Sequence, residues 1–214
     1  FYLISIQDHV GLASRTGVVG AAARLHLRYL RVFDPEAQNR DGDPLLHVAL
    51  YNTFGAPPRP RADRARMALA RVLLERGADI DSPNSDGMTA LMDALADYND
   101  TRALALLSLG ADPEARGTGP YRDESAVSLL RRQVARDLAA YPRILRCDAE
   151  LLRSDAYWKM VNVRFAMKTA DIDPRRCEPK TEAEIEALVA RYAGRIRRQR
   201  VAEALRAAAD ATRR

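Results

Sequence analysis

The most regular pattern in the chain is a polar turn followed by hydrophobic residues at helical spacing. After the Asp-Gly dipeptide at 86–87, Leu91, Ala94 and Leu95 fall on one face of a helix. Thr89 lies between the turn and this face, where its hydroxyl oxygen can accept an amide hydrogen of the first turn. The pattern predicts a short amphipathic helix that begins directly after Thr89.

A second helix is predicted after a short polar turn at 97–100. Leu104, Leu106 and Leu107 lie at helical spacing, and Gly110 follows them. Because glycine adopts the left-handed conformation without a steric penalty, we expect Gly110 to end this helix as a carboxyl-terminal cap. The two helices and the turn between them make one helix-turn-helix unit.

This unit recurs along the chain. The motif Leu-Leu-x-x-Gly-Ala-Asp occurs at 73–79 and again, 33 residues later, at 106–112. The segments 34–50, 79–95 and 112–130 also align with one another, and the first two share a glycine at the turn. Such a spacing is typical of stacked repeats, which bury their hydrophobic faces against each other.

These segments resemble the ankyrin repeat, whose signature is Gly-x-Thr-Pro-Leu-His-x-Ala followed by Leu-Leu-x-x-Gly-Ala-Asp. Residues 87–94 read Gly-Met-Thr-Ala-Leu-Met-Asp-Ala, and 106–112 supply the second part. An earlier copy at 42–49 reads Gly-Asp-Pro-Leu-Leu-His-Val-Ala, and the Pro- and Arg-rich stretch 51–65 is then an inserted loop between its helices. The resemblance implies an all-α fold, an ankyrin-repeat solenoid of helix-turn-helix units with short hairpin loops.

The predicted solenoid covers residues 1–150, and residues 151–214 form a helical carboxyl-terminal extension. Within the solenoid we expect a degenerate first unit and three repeats, at 5–33, about 34–78, 79–111 and 112–150. The last repeat departs from the pattern, because its inner helix runs on to about Ala140 and Pro142 is expected to open another helix.

Two helices are predicted in the extension. The first, at 154–170, has apolar residues on two opposed sides and is expected to be buried on both. Thr181 and Glu184 form a capping box that opens the second. Its apolar stripe changes side after Gly194, which predicts either a kink near Gly194 or a different neighbour for the second half.

Composition changes this picture little. The net charge is +5, and nearly all of the basic residues are arginine. A GC-rich bacterial genome explains this preference for arginine better than phosphate binding does. No apolar run approaches the 18 or more residues that a membrane span requires. Cys147 and Cys177 are the two cysteines. The sequence slightly favours reduced thiols and a cytoplasmic protein, whereas a disulfide between the two would indicate the periplasm.

Motifs for chemistry are missing from the sequence. It contains no zinc-ligand spacing, no Gly-rich nucleotide loop and no Gly-x-Ser-x-Gly elbow. By the resemblance, His47 is expected to form hydrogen bonds within and between repeat loops. Asp79 and Asp112 are expected to accept hydrogen bonds from hairpin amides. We therefore expect no catalytic residue, no metal site and no cofactor.

The variable positions of the repeats remain as candidates for binding. The resemblance implies that the hairpin tips and the exposed side of the inner helices form a concave surface. In this chain those positions carry mixed charges and several tyrosines, residue types that interfaces use. The predicted partner-binding residues are Arg40, Asp41, Asp43, Tyr51, Ser85, Asp86, Met88, Asp97, Tyr98, Tyr121 and Arg122.

Two functions follow as expectations. The first is a non-catalytic protein-protein interaction module that binds and restrains a partner, in the manner of a bacterial immunity protein that inhibits a toxin encoded by a neighbouring gene. The alternative is an ankyrin adaptor or secreted effector whose basic final helix contacts nucleic acid or an anionic membrane surface. Nucleic acid is the less favoured partner, because glutamates flank the arginine run at 195–200.

Overall fold

The computed structural model describes residues 34–50, 60–148 and 178–213. Within these ranges the chain is α-helical, as predicted, and has no β-strand beyond isolated bridges. None of the described helices is both long enough and apolar enough to cross a bilayer. The helices are α1 (Leu45–Leu50), α2 (Pro60–Leu74), α3 (Ala90–Ala96), α4 (Asp100–Ser108), α5 (Ala126–Leu145), α6 (Glu182–Ile196) and α7 (Gln199–Thr212).

The described residues group into two compact units. The first contains the residues up to Ala126 together with 208–213, and the second contains those from Val127 to Ala207. In the first unit α1 packs against α2, α3 packs against α4, and α1 contacts α3. The predicted face of α3 is fully buried, since Leu91, Ala94 and Leu95 expose none of their surface.

The helix ends of the first unit are capped as the sequence predicts. The Thr89 hydroxyl accepts a hydrogen bond from the Met92 amide at the start of α3. Gly110 ends α4 in the left-handed conformation, at φ +96°, and its amide donates to the Leu107 carbonyl. Gly77 ends α2 in the same way, at φ +97°. These matching ends confirm that the motif at 73–79 and 106–112 has one local structure.

Three short hairpins precede α1, α3 and α5. We call them finger 1 (37–45), finger 2 (84–88) and finger 3 (117–124). A backbone hydrogen bond closes each base, at 3.0 Å from Leu45 N to Ala37 O, 2.8 Å from Asn84 N to Met88 O and 3.1 Å from Gly117 N to Glu124 O. Fingers 1 and 2 each turn at a glycine with positive φ, Gly42 and Gly87.

Successive fingers contact each other. The Asp43 carboxylate of finger 1 accepts hydrogen bonds from the Ser85 amide, at 2.9 Å, and the Ser85 hydroxyl, at 2.7 Å. The Thr118 amide of finger 3 donates to the Gly87 carbonyl of finger 2, at 2.8 Å. The fingers therefore follow one another along one edge of the unit.

A second contact, from a carboxylate to a backbone amide, recurs between the loops that precede the fingers. The Glu36 carboxylate accepts the Asp79 amide at 2.8 Å, and the Asp81 carboxylate, one repeat later, accepts the Asp112 amide at 3.0 Å. Glu114 occupies the next position of this series, and Arg213 donates to it at 3.2 Å. The side chains of Asp79 and Asp112 accept amides two residues ahead, as expected.

Two predictions about helix bounds are wrong. Pro142 does not open a new helix, because α5 continues through it to Leu145. A proline in the last turns removes one backbone donor, and burial of Tyr141 and Ile144 on the same helix holds the helix together. The inserted loop at 51–65 is also shorter than predicted, since α2 begins at Pro60.

The second unit has its own core. Tyr141, Ile144 and Leu145 of α5 pack with Ile185 and Ile196 of α6. The predicted capping box is present. The Thr181 hydroxyl accepts the Glu184 amide, and the Glu184 carboxylate accepts the Thr181 amide at 2.8 Å. The break predicted near Gly194 lies between the end of α6 at Ile196 and the start of α7 at Gln199, where Arg198 takes a left-handed conformation, at φ 47°.

The prediction of reduced thiols is wrong, because Cys147 is disulfide-bonded. It follows α5 in a left-handed conformation, at φ 59°. The other cysteine of the chain, Cys177, lies outside the described residues. So do the degenerate unit at 5–33, the helix predicted at 154–170 and the boundary predicted at 150/151.

Candidate functional site

The turn between α3 and α4 positions the side chains of greatest chemical interest. Tyr98 adopts a left-handed conformation, at φ 54°, and its amide donates to the Leu95 carbonyl, which ends α3. The Asn99 side chain then caps α4 by accepting the Arg102 amide at 3.0 Å. This tight turn brings Arg102, in the first turn of α4, back toward the end of α3.

Arg102 is a buried cation shared between two aspartates. Its side chain is 4% exposed, and Nη1 lies 3.6 Å from Asp93 Oδ2 and 3.5 Å from Asp97 Oδ2. Nη2 is buried and has no hydrogen-bond partner in the part of the chain that the structure describes. One guanidinium therefore balances two carboxylates, and one of its amino groups remains unused.

The carboxylates around Arg102 are incompletely neutralised. The pKa of Asp93 is raised to about 6, chiefly by burial; repulsion from Asp97 also raises this pKa, by more than the attraction of Arg102 lowers it. The negative charges of Asp86 and Asp43 act in the same direction. Burial also raises the pKa of Asp97, against the attraction of Arg102. We refer to Asp86, Asp93, Asp97 and Arg102 as the acidic cluster.

Asp43 lies near this cluster, but its carboxylate already accepts hydrogen bonds from Ser85 and Asn39. Burial acts to raise the pKa of its carboxyl, yet the hydrogen bonds from Ser85 and Asn39 outweigh burial and keep the pKa below its usual range. The Asn39 amide donates to the second carboxylate oxygen at 3.1 Å. Asp43 therefore joins fingers 1 and 2 and is not available as a binding group in this arrangement.

The predicted partner-binding residues fall into three sets. Six of them are exposed: Arg40, Asp41, Ser85, Asp86, Asp97 and Arg122. Four are partly buried: Asp43, Met88, Tyr98 and Tyr121. Tyr51 lies outside the described residues. The structure brings Asp43 and Ser85 into direct contact and places Asp86 and Asp97 in the charge environment of Asp93. Tyr121 and Arg122 lie in finger 3, which a hydrogen bond from Thr118 to Gly87 joins to finger 2.

Sequence reasoning missed Asp93 and Arg102 as members of the site. A count of charges by segment would have pointed to them. Residues 79–112 hold seven aspartates and a single basic residue, Arg102, although the whole chain has a net charge of +5. Asp93 and Asp97 are also four residues apart, which places them on one face of a helix.

His47 has the expected local role. Its side chain is buried, and Nε2 lies 2.9 Å from the Ser82 carbonyl oxygen in the loop before finger 2. Burial lowers the pKa of the imidazole, more than the hydrogen bond to Ser82 and the charge of Asp43 raise it. A neutral ring with hydrogen on Nε2 fits this contact.

Other chemistry is sparse in the described ranges. Within 34–50, 60–148 and 178–213, no group of three or more His, Cys, Asp or Glu residues is arranged to hold a metal ion. The arginine run at 195–200 is interrupted by buried Ile196 and buried Arg198. The Arg198 guanidinium donates to Gln133 at 2.7 Å inside the second unit. The run is thus not one continuous basic surface.

Comparison with known proteins gives no relative: no family model, no curated protein and no solved structure matches this chain.

Proposed function

We propose that this protein is a non-catalytic protein-protein interaction module built on an ankyrin-like array. In this proposal the fingers and the carboxyl-terminal end of α3, where Asp97 follows the helix, form the binding surface. The predicted contribution of α1 is wrong, because every residue of that helix is buried. The module binds and restrains a partner protein, in the manner of an immunity protein or inhibitor. The ankyrin assignment belongs to the proposal, because it depends on the sequence motifs at 42–49, 87–94 and 106–112.

The observation that supports this function is the mutual fixation of the three fingers. Asp43 holds Ser85, and the Gly87 carbonyl holds Thr118, so that each finger is attached to the next. The tip residues, among them Asp86, remain exposed. A surface that is rigid before binding loses less conformational entropy on association, which favours a role in recognition.

The test is formation of a stoichiometric complex. The purified chain would be mixed with the separately purified product of each adjacent gene, and complexes would be measured by size-exclusion chromatography with light scattering. We expect one such pair to co-elute. Asp97→Arg and Tyr98→Ala should weaken the complex at least tenfold, the effect of losing about 1.4 kcal/mol. Arg197→Ala, exposed in the second unit, is the control and should have no effect.

Two results would contradict the proposal. One is the absence of a complex with any neighbouring product. The other is a complex whose affinity changes with Arg197→Ala but not with Asp97→Arg or Tyr98→Ala. The second result would favour a surface on the second unit.

A second candidate function is binding of nucleic acid or an anionic membrane by α6 and α7. Arg195, Arg197 and Arg200 are exposed near the junction of these helices and favour it. Phosphate-driven binding weakens steeply between about 50 and 200 mM salt. A labelled DNA duplex and vesicles of anionic lipid, each titrated at both salt concentrations, would test it. Equal affinity at the two concentrations would contradict it.

The disulfide of Cys147 bears on the compartment in which the proposed interaction takes place. Structural disulfides persist in oxidising environments such as the periplasm and are rare in the cytosol. We therefore place the interaction in an oxidising compartment, which agrees with a role against a secreted protein. Fractionation of cells that express the full gene would test this location.

A further inference from the structure

The acidic cluster contains three aspartates and one arginine, so that a further cation would reduce its excess of negative charge. Arg102 Nη1 lies at 3.6 and 3.5 Å from the carboxylates of Asp93 and Asp97, which is long for a charge-assisted hydrogen bond. Asp86 adds a further negative charge to this environment. The carboxylates of Asp93 and Asp97 thus share one guanidinium, and the charge of Asp86 adds to the negative excess around Asp93. A positive group placed beside Asp86 and Asp97, the two exposed members, would offset the excess.

The unused amino group of Arg102 adds a second requirement. A buried N–H without an acceptor destabilises the folded protein. Nη2 is such a group, on a side chain that is 4% exposed and whose Nη1 contacts both aspartates. Access of an acceptor to Nη2 requires the side chain of Asp97, which is 31% exposed, to turn outward. A ligand that fits both requirements carries a cation and, close to it, a neutral oxygen acceptor.

We propose that the acidic cluster receives an arginine or lysine side chain of the partner protein, with a backbone carbonyl of the same segment accepting from Arg102 Nη2. This inference rests on the proposed function and specifies the chemistry of the partner. A basic peptide segment supplies both groups at once. A bare metal ion would leave Nη2 without an acceptor, and a phosphate would be repelled by the three carboxylates.

The direct test uses a peptide probe with a neutral isostere. A fluorescein-labelled peptide of alternating arginine and glycine would be titrated with the full chain at 150 mM salt, and binding followed by fluorescence anisotropy. The control peptide replaces each arginine by citrulline, which keeps the shape and removes the charge. We expect binding of the arginine peptide and at least tenfold weaker binding of the citrulline peptide. Equal binding of the two, or no binding of the arginine peptide, would overturn the proposal.

Variants then locate the site. Asp97→Asn and Asp86→Asn should each weaken binding of the arginine peptide about tenfold. Asp210→Asn makes the same change of charge at an exposed position of α7 and should change affinity less than twofold. Equal losses for all three variants would mean attraction by net charge alone and would overturn the site.

Arg102→Lys tests the second requirement. Lysine keeps the positive charge but lacks the second amino group, so we expect affinity to fall at least threefold. Thermal unfolding of each variant, followed by circular dichroism, shows that it is folded. If Arg102→Lys is unfolded, Asp86→Asn still tests the site, because Asp86 is exposed.

The same variants separate this inference from the proposed function. If a stoichiometric complex with a neighbouring product forms, and Asp86→Asn and Asp97→Asn weaken it no more than Asp210→Asn does, the inference fails and the proposed function stands. If no complex forms, the proposed function fails, and the peptide titration alone decides whether the cluster binds a cation.

Discussion

At the scale of single residues, Gly87 and Gly110 have nearly the same backbone conformation and very different surroundings. Both have positive φ, at +90° and +96°. A Cβ on Gly110 would meet nothing within 4 Å, whereas a Cβ on Gly87 would overlap the Thr118 carbonyl. Gly110 is therefore required only by its conformation, and Gly87 by the approach of finger 3 as well.

We expect Gly87→Ala to lower the free energy of unfolding by about 3 kcal/mol, because overpacking adds to the conformational cost. Gly110→Ala is the matched control and should cost about 1 kcal/mol. Urea unfolding of both variants measures the difference. Equal costs would mean that fingers 2 and 3 are not in contact.

Asp93 makes stability depend on pH. Its pKa is raised to about 6 by burial, so its contribution to stability is fully present below the unfolded pKa of about 4 and is lost as pH rises through 6. Asp93→Asn removes this titration. We expect the free energy of unfolding of the variant, relative to that of the natural protein, to be about 1 kcal/mol greater at pH 7.5 than at pH 5.

Urea unfolding at the two pH values measures this difference, and Asp210→Asn is the control with the same change of charge. His47, whose pKa is lowered by burial, titrates in both proteins and cancels in the comparison. A difference of the opposite sign would show that Arg102 dominates the environment of Asp93.

At the scale of the elements, the junction of α6 and α7 depends on Arg198. The residue is 4% exposed, adopts φ 47° and donates to Gln133 of α5. Arg197, its neighbour, is exposed and serves as the carboxyl-terminal cap of α6. Two adjacent arginines thus have different roles, one inside the second unit and one on its surface.

Arg198→Ala should lower the free energy of unfolding by about 2 kcal/mol, because it removes a buried charged hydrogen bond and leaves alanine in a left-handed conformation. Arg197→Ala should change it by less than about 0.5 kcal/mol. Guanidinium unfolding compares the two variants. A loss for Arg197→Ala as large as that for Arg198→Ala would contradict the distinction.

At the scale of the whole molecule, a different kind of link stabilises each of the two units. In the first unit, Arg213, which directly follows α7, donates to Glu114. Glu114 occupies the position at which Glu36 and Asp81 each accept a backbone amide of the following segment. In the second, the disulfide at Cys147 follows α5 directly. The first unit thus contains an ion pair at the last position of this series, and the second unit contains a disulfide.

Reduction of the disulfide should destabilise the second unit. A bond between the two cysteines of the chain closes a loop of about 30 residues, which corresponds to about 3–4 kcal/mol of loop entropy. Thiol titration in denaturant should find no free thiol before reduction and two after it. Unfolding with and without reductant measures the stability. Free thiols in the unreduced protein would contradict the disulfide.

The sequence by itself determined the local structure of the described residues. The Thr89 cap, the Gly110 end, the capping box at Thr181 and the buried face of α3 depend on residues within one or two turns of each other, so their spacing along the chain is sufficient. The hydrogen bond of His47 and the amide contacts of Asp79 followed from the resemblance to a known repeat. The repeat family itself and the binding role stay predictions.

Tertiary structure alone decided the features that depend on distant residues. The continuation of α5 through Pro142 is one of them, because burial of Tyr141 and Ile144 holds the helix together and overrides the local signal of proline. The joining of Asp43 to Ser85, 42 residues away, occupies the carboxylate of one predicted binding residue. The turn at Tyr98 places Arg102 beside Asp93 and Asp97 and so forms the acidic cluster. A count of charges indicates these residues, but their interaction depends on distance in space and on burial, and a sequence specifies neither directly.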